Sequence, residues 1–188
     1  MASLVVQTSF LGDVVLTTPL IAELATRGAV DVLTTRPGAV TLSNNASIRR
    51  TIVYDNRGAD NGLSGFARIA RRLRGNSYDV AYMAQGSLRS AALALTAGIR
   101  HRVGFDTSAG RALYTERVRY QPDRHHAERL LTLAFSDCAD PLQPEQVRPH
   151  LYPGDEERRA VDEILQADPL REIFGCEWQP AGGSWLPA

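Results

Sequence analysis

One carboxylate stands out for its setting. Asp13 lies in the run Ser9-Phe-Leu-Gly-Asp-Val-Val-Leu-Thr-Thr-Pro19, which follows the short apolar stretch Leu4-Val5-Val6 and opens a helical pattern. An acid there sits where a first strand ends and a first helix begins, the edge at which open α/β sheets bind ligands. Gly12 lets backbone come close to a ligand, and a helix N-terminus favours negative charge nearby. Asp13 can be a general base at the mouth of a cleft, taking a proton from a bound hydroxyl. It can equally be a helix N-cap worth about 1 kcal/mol, and the two roles are compatible. The same loop lacks both the Gly-x-Gly-x-x-Gly dinucleotide fingerprint and the Gly-x-x-x-x-Gly-Lys-Ser/Thr phosphate loop, which weighs against NAD- and ATP-dependent chemistry.

The second chemical group is basic. Arg68, Arg71 and Arg72 share one arc of a helical segment, Leu63–Arg74, whose other side carries Leu63, Phe66, Ala67, Ile69, Ala70 and Leu73. That arc is either a solvated face or a patch for an anionic sugar or phosphate. Gln85-Gly86-Ser87-Leu88-Arg89-Ser90 repeats the strand–loop–helix pattern. Gly86 or Ser87 caps the helix there, and free amides at such an end suit an anion. Arg89 in the first turn opposes the helix dipole but fits anion binding. Arg102-Val-Gly-Phe and Gly110-Arg111 each set an arginine beside a glycine. His125 and His126 are adjacent, so on a helix they diverge, which argues against a shared metal; they read as exposed or capping.

Elements that position these residues alternate along the chain. Short, nearly continuous apolar runs predict strands at Leu4–Gln7, Val30–Thr34, Thr51–Tyr54 and Tyr78–Ala84, with weaker ones at Arg102–Phe105 and Arg117–Tyr120. Between them lie helix patterns at Val14–Thr26, Ala39–Asn44, Leu63–Arg74 and Leu88–Ala97, the last stopped by Gly98. Pro19 should kink or shorten the first. A further helix spans about Arg124–Ser136, with Ala127, Leu130, Leu131 and Ala134 on one face. The series predicts a Rossmann-like, doubly wound, mainly parallel sheet. Beyond Asp140 the texture changes: Pro141, Pro144, Pro149 and Pro153 suit a linker, Gly154–Ala167 reads as a charged helix, and Cys176–Ala188 has no periodicity.

Composition narrows the class. The 188 residues suffice for one good core or one domain plus a tail, with 44% hydrophobic and 22% charged residues. Twenty-one basic and twenty-one acidic residues cancel, so no overall field draws the chain to nucleic acid. The basic side chains are arginines, which suit bidentate binding of carboxylate or phosphate, although a GC-rich genome gives the same bias. Cys138 and Cys176 have no partner at metal spacing and read as reduced thiols of a cytosolic protein. No run approaches the ~20 apolar residues of a membrane span, and the N-terminus lacks the basic start of a signal peptide.

Taken in order, the segments around Ser9–Pro19, Asp79–Ala91, Arg102–Phe105, Gly110–Tyr114 and His126–Arg129 resemble the ADP-heptose:lipopolysaccharide heptosyltransferases of glycosyltransferase family 9, somewhat nearer the heptosyltransferase II type. The resemblance covers roughly Ala2–Leu133. It implies the N-terminal, acceptor-binding domain of a GT-B fold over residues 1–150 and an interdomain helix and irregular tail over 151–188; in departure from the family pattern, the C-terminal donor-binding domain is expected to be absent. It implies inverting, metal-independent transfer of heptose from ADP-heptose to the lipopolysaccharide inner core, with no cofactor. Asp13 is then the base that deprotonates the acceptor hydroxyl. Ser9, Gly12, Arg68, Arg71, Arg72, Gln85, Gly86, Arg89 and Arg111 are candidate substrate-binding residues. The expected partner is a lipopolysaccharide precursor, with a nucleotide sugar only where a second domain is supplied. The expected place is the cytoplasm, at the inner face of the inner membrane. Family members run to about twice this length, so the chain reads as truncated and inactive alone. The alternatives are a non-catalytic sugar- or glycolipid-binding remnant, or half of another sugar-nucleotide enzyme.

Overall fold

The computed structural model describes residues 1–55, 58–135 and 143–167. Six strands form one sheet in the order β3-β2-β1-β4-β5-β6, and every neighbouring pair is parallel. They are β1 (Ala2–Gln7), β2 (Ala29–Thr34), β3 (Arg50–Val53), β4 (Val80–Met83), β5 (His101–Phe105) and β6 (Glu116–Val118). All six expected strands are present, some shorter than the apolar runs suggest. The central strand β1 is buried along almost its whole length, which is why Leu4-Val5-Val6 needs no polar alternation.

Helices cover both faces. Leu4 and Val6 join Ile69, Ala70 and Leu73 of α4 (Gly62–Arg74) and Ala91, Leu93 and Ala94 of α5 (Leu88–Thr96) in one core. Val5 points the other way, into a second core with Val14 of α1 (Leu11–Leu16), Leu20, Ile21 and Leu24 of α2 (Thr18–Ala25), Leu42 just past α3 (Arg36–Thr41), and Leu130 of α6 (His126–Thr132). Strand pleat thus assigns alternate residues of β1 to opposite layers. The strand order reverses between β1 and β4, so the chain leaves these two strands toward opposite faces and opens a crevice at their carboxyl ends.

Four details refine the sequence-based expectations. The helix expected over Val14–Thr26 starts earlier and is broken at Thr17; Pro19 sits in the first turn of α2, where its missing N–H costs nothing. Leu63 and Ala67 do not join the core: Leu63 is 88% exposed, and Gly65 is the buried residue of that turn. The reason is the loop before α4, whose Asp60 backbone lies so close that a Cβ on Gly65 would come within 2.3 Å of it. Short turns at Arg111–Leu113 and α7 (Pro144–Val147) had no periodic signal. Gly98 has φ +81°, as its expected place after α5 requires.

The described chain divides into a compact unit ending at Tyr152 and a second that begins at Pro153 and contains α8 (Asp155–Ala167). Cys138, Pro141, Cys176 and the tail lie outside the described residues. Among those described, no helix is long and apolar enough to cross a membrane.

Candidate active site at the carboxyl edge of the sheet

The crevice is a cavity of about 370 Å³ lined by the ends of four strands: Thr8, Ser9 and Phe10 after β1, Thr35, Arg36 and Pro37 after β2, Tyr54 and Asp55 after β3, and Gln85 after β4. The Thr8 hydroxyl donates to the Gln85 side-chain carbonyl and ties the two diverging loops together. Beneath them buried Gln7 donates to the Thr17 hydroxyl at 3.1 Å, and its side-chain carbonyl oxygen lies 2.8 Å from Ser9 Oγ at the turn from β1 into α1.

Asp13 stands beside this cavity. It occupies the third residue of α1 rather than the N-cap, which is Phe10 and makes no side-chain capping bond. Its carboxylate is held by other means: Oδ2 lies 2.6 Å from Ser9 Oγ, and Oδ1 lies 3.6 Å from His126 Nε2. About a third of the side chain remains exposed, so the group is both oriented and reachable. The carboxylate lies in the first turn of α1, near the positive end of the helix dipole. Gly12 is exposed, has an ordinary negative φ, and has nothing within 4 Å of where a Cβ would stand. Neither backbone conformation nor packing within the chain demands a glycine there; the open space lies next to Asp13.

The arginines divide into distinct roles. Arg89 donates to the Tyr54 hydroxyl at 2.5 Å, lies 5.7 Å over the Tyr54 ring, and reaches the Asp60 and Gly62 carbonyls at 3.4 Å. It therefore props the cavity wall at Tyr54. Arg68 pairs with Asp60 at 2.5 Å and donates to the Ala59 carbonyl at 2.7 Å, so it holds the turn at Ala59 and Asp60 that leads into α4. Burial raises the Asp60 pKa, but the bonds from Arg68 and the Asp55 amide outweigh it and hold the carboxyl below the usual 3.8. Arg71 and Arg72 are exposed on α4 and are not among the cavity residues. Arg111 is exposed beyond β5 and donates to the Ser108 carbonyl at 3.4 Å. Gly86 packs against Ser108, whose Oγ would meet a Cβ there at 2.4 Å, and Ser87 is the residue that caps α5.

The structure thus brings Ser9, Gly12, Asp13, Gln85 and, through Tyr54, Arg89 to one edge. Of these only Ser9 and Gln85 line the cavity itself; Asp13 and Gly12 stand beside it, and Arg68, Arg71, Arg72, Gly86, Arg89 and Arg111 lie outside its lining. Sequence reasoning missed Thr35, Arg36, Tyr54 and Asp55, which line it. Their common signal is position: each falls at or just after the end of a strand. His125 does cap α6, accepting from the Ala127 amide, while His126 turns inward to Asp13.

A family model described as glycosyltransferase family 9 (heptosyltransferase) matches residues 66–169, more than half the chain. The chain belongs to this family. Solved members share its fold. A family 9 glycosyl transferase from Veillonella parvula is 21% identical with a TM-score of 0.72, over 88% of this chain and 49% of that one. E. coli ADP-heptose lps heptosyltransferase II gives 22% identity and a TM-score of 0.72, over 90% and 52%. E. coli heptosyltransferase WaaC with ADP-2-deoxy-2-fluoro heptose gives 24% and 0.60, over 71% and 47%. The chain spans about half the length of these family structures. No curated protein matches it. The sheet is accordingly the Rossmann-like sheet of a heptosyltransferase-type GT-B protein.

Proposed function

We propose that this chain forms the acceptor-binding half of a heptosyltransferase, with residues 1–150 as that domain and 151–188 leading out of it. The reaction is inverting transfer of heptose from ADP-heptose to a lipopolysaccharide inner-core acceptor, without a metal. Asp13 takes the proton from the acceptor hydroxyl; the freed oxygen attacks the anomeric carbon from the face opposite ADP, which leaves with the bonding pair. The observation that supports this reading is the carboxylate held by Ser9, part exposed, beside an open cavity at the switch point of a family 9 sheet. Ser9, Gln85 and Arg36 line the side on which an acidic sugar would lie, and Arg89 keeps Tyr54 in the wall. Gly12 leaves the approach to Asp13 clear.

The donor must be held from the other side of the cleft, by a second domain outside the described residues. Positioning two substrates accounts for a large share of the rate, so the acceptor half binds without appreciable turnover until a donor site faces it. Contact with the inner face of the inner membrane, and a cytoplasmic place, follow from the acceptor.

The test joins the full chain, at its C-terminus, to the donor-binding half of E. coli ADP-heptose lps heptosyltransferase II and follows heptose transfer to an inner-core acceptor. Transfer by the fusion, absent from either half alone, supports the reading. Acceptor binding with no transfer in any arrangement would make the chain a sugar-binding module instead.

A further inference from the structure

His126 has no part in the reaction as derived so far. Yet it is two-thirds covered and lies between two charged groups. Its Nε2 is 3.6 Å from Asp13 Oδ1, and its Nδ1 is 3.2 Å from a terminal nitrogen of Arg129. A guanidinium can only donate, so Nδ1 accepts, and the proton of the neutral ring sits on Nε2, facing the carboxylate. Arg129 is itself fixed. Its other terminal nitrogen donates to the Pro122 carbonyl at 3.0 Å, and its guanidinium lies 4.9 Å over the Tyr120 ring. Tyr120 in turn meets the buried Phe105 of β5 edge-on, with ring centres 5.5 Å apart. The spacing of three residues on α6 is what lets Arg129 reach back to His126.

We propose that His126, its proton held on Nε2 by Arg129, is a positioning residue for Asp13. It faces the carboxylate oxygen opposite the one held by Ser9. The proposal rests on the reading of Asp13 as the base. At 3.6 Å the contact is longer than a formed hydrogen bond, and such contacts tighten when a site is loaded. Two donors from two elements fix the plane of the carboxylate, where one hydroxyl would leave it free to swing.

The charge state matters as much as the geometry. Burial disfavours the imidazolium, Asp13 favours it, and Arg129 and His125 disfavour it, so His126 is held below the usual 6.5. Among the described residues, these are the charged and titratable groups that act on it. A neutral ring orients Asp13 without forming the ion pair that would blunt a base.

The experiment is histidine-selective NMR on the full chain, which has four histidines to assign. His126 should be the Nε2–H tautomer at neutral pH. Asp13→Asn should move its titration midpoint to lower pH, because a favouring charge is gone. Arg129→Met should move it to higher pH and mix the tautomers. An Nδ1–H ring in the wild type, or a midpoint indifferent to Asp13→Asn, overturns the proposal; neither arm depends on Arg129→Met folding. In the fused enzyme His126→Ala should lower kcat about 10- to 100-fold with the acceptor KM kept. His126→Gln, whose amide N–H reaches the same place, should recover most of it. Full kcat in His126→Ala would overturn the role. The NMR readout needs no turnover, so failure of the heptosyl-transfer reading and failure of the His126–Asp13 pair are seen separately.

Discussion

Replacing Arg68 by Ala separates two roles that the sequence could not. If Arg68 serves mainly as a strut, the protein loses stability; if it serves mainly to receive an acidic acceptor, it loses binding. The structure gives the magnitude. Asp60 is 7% exposed and keeps one bond after the substitution, from the Asp55 amide at 3.0 Å. It loses the guanidinium at 2.5 Å, and the Ala59 carbonyl loses a donor at 2.7 Å. A hydrogen bond to a charged group is worth about 1.5–3 kcal/mol. Arg68 is itself 58% exposed, so solvent screens the pair and the expected loss falls to about 1–2 kcal/mol. For a chain of this size that is roughly 2–8 °C in Tm. Thermal unfolding of wild type and Arg68→Ala at neutral pH measures it. Linkage adds a check of sign. The folded pKa of Asp60 is below 3.8, so its contribution is present above that value and lost as pH falls through the folded pKa. The gap between the two proteins should therefore close below about pH 3.8. An unchanged Tm at neutral pH would refute the strut and return Arg68 to the binding face.

Other outcomes follow from the same geometry. Arg71→Ala with Arg72→Ala should leave Tm nearly unmoved, since exposed changes stay within about 0.5 kcal/mol. If α4 meets the acceptor, the pair should weaken its binding, and calorimetry should show wild-type binding fall with salt. Tyr78→Phe removes a 2.6 Å bond to Asp31, a wholly buried carboxylate that Arg49 grips at 2.9 and 3.0 Å; urea denaturation should show a loss of about 1–2 kcal/mol. Burial raises the Asp31 pKa, but Arg49 and Tyr78 more than offset it. That stability is thus present above 3.8 and vanishes as pH falls through the depressed folded value. The 188-residue chain assayed by itself should give no heptose transfer above a no-protein control.

The strands were legible because parallel strands buried on both faces leave nearly unbroken apolar runs, as in Leu4-Val5-Val6. The site was half legible. Ser9 and Gln85, which line the cavity, and Asp13 beside them could be singled out as candidates because each sits where an apolar run gives way to a helical one. Tyr54 and Arg36 come to the cavity only through the strand order, which places β2 beside β1 and β3 beyond β2, and that order is not written in any local pattern. The face of α4 was read only in part: Ile69, Ala70 and Leu73 are buried as expected, but Leu63 and Ala67 are exposed, and in the first turn it is Gly65 that packs, against the backbone of Asp60. His126 was unreadable because its partner is more than a hundred residues away in the chain.

The central claim is that Asp13 is the base of a heptosyl transfer. Asp13→Asn keeps the shape, leaves an acceptor for Ser9, and alters a side chain already a third exposed. The fold should therefore stay within about 1 kcal/mol of wild type. Losing a positioned base should lower the rate 10²–10⁴-fold, by about 3–5 kcal/mol in the barrier. The measurement is kcat for ADP-heptose and inner-core acceptor with the fused enzyme and its Asp13→Asn form at matched folding. A fall of at least about 10²-fold with acceptor binding retained is the result predicted; near-wild-type turnover would contradict the account.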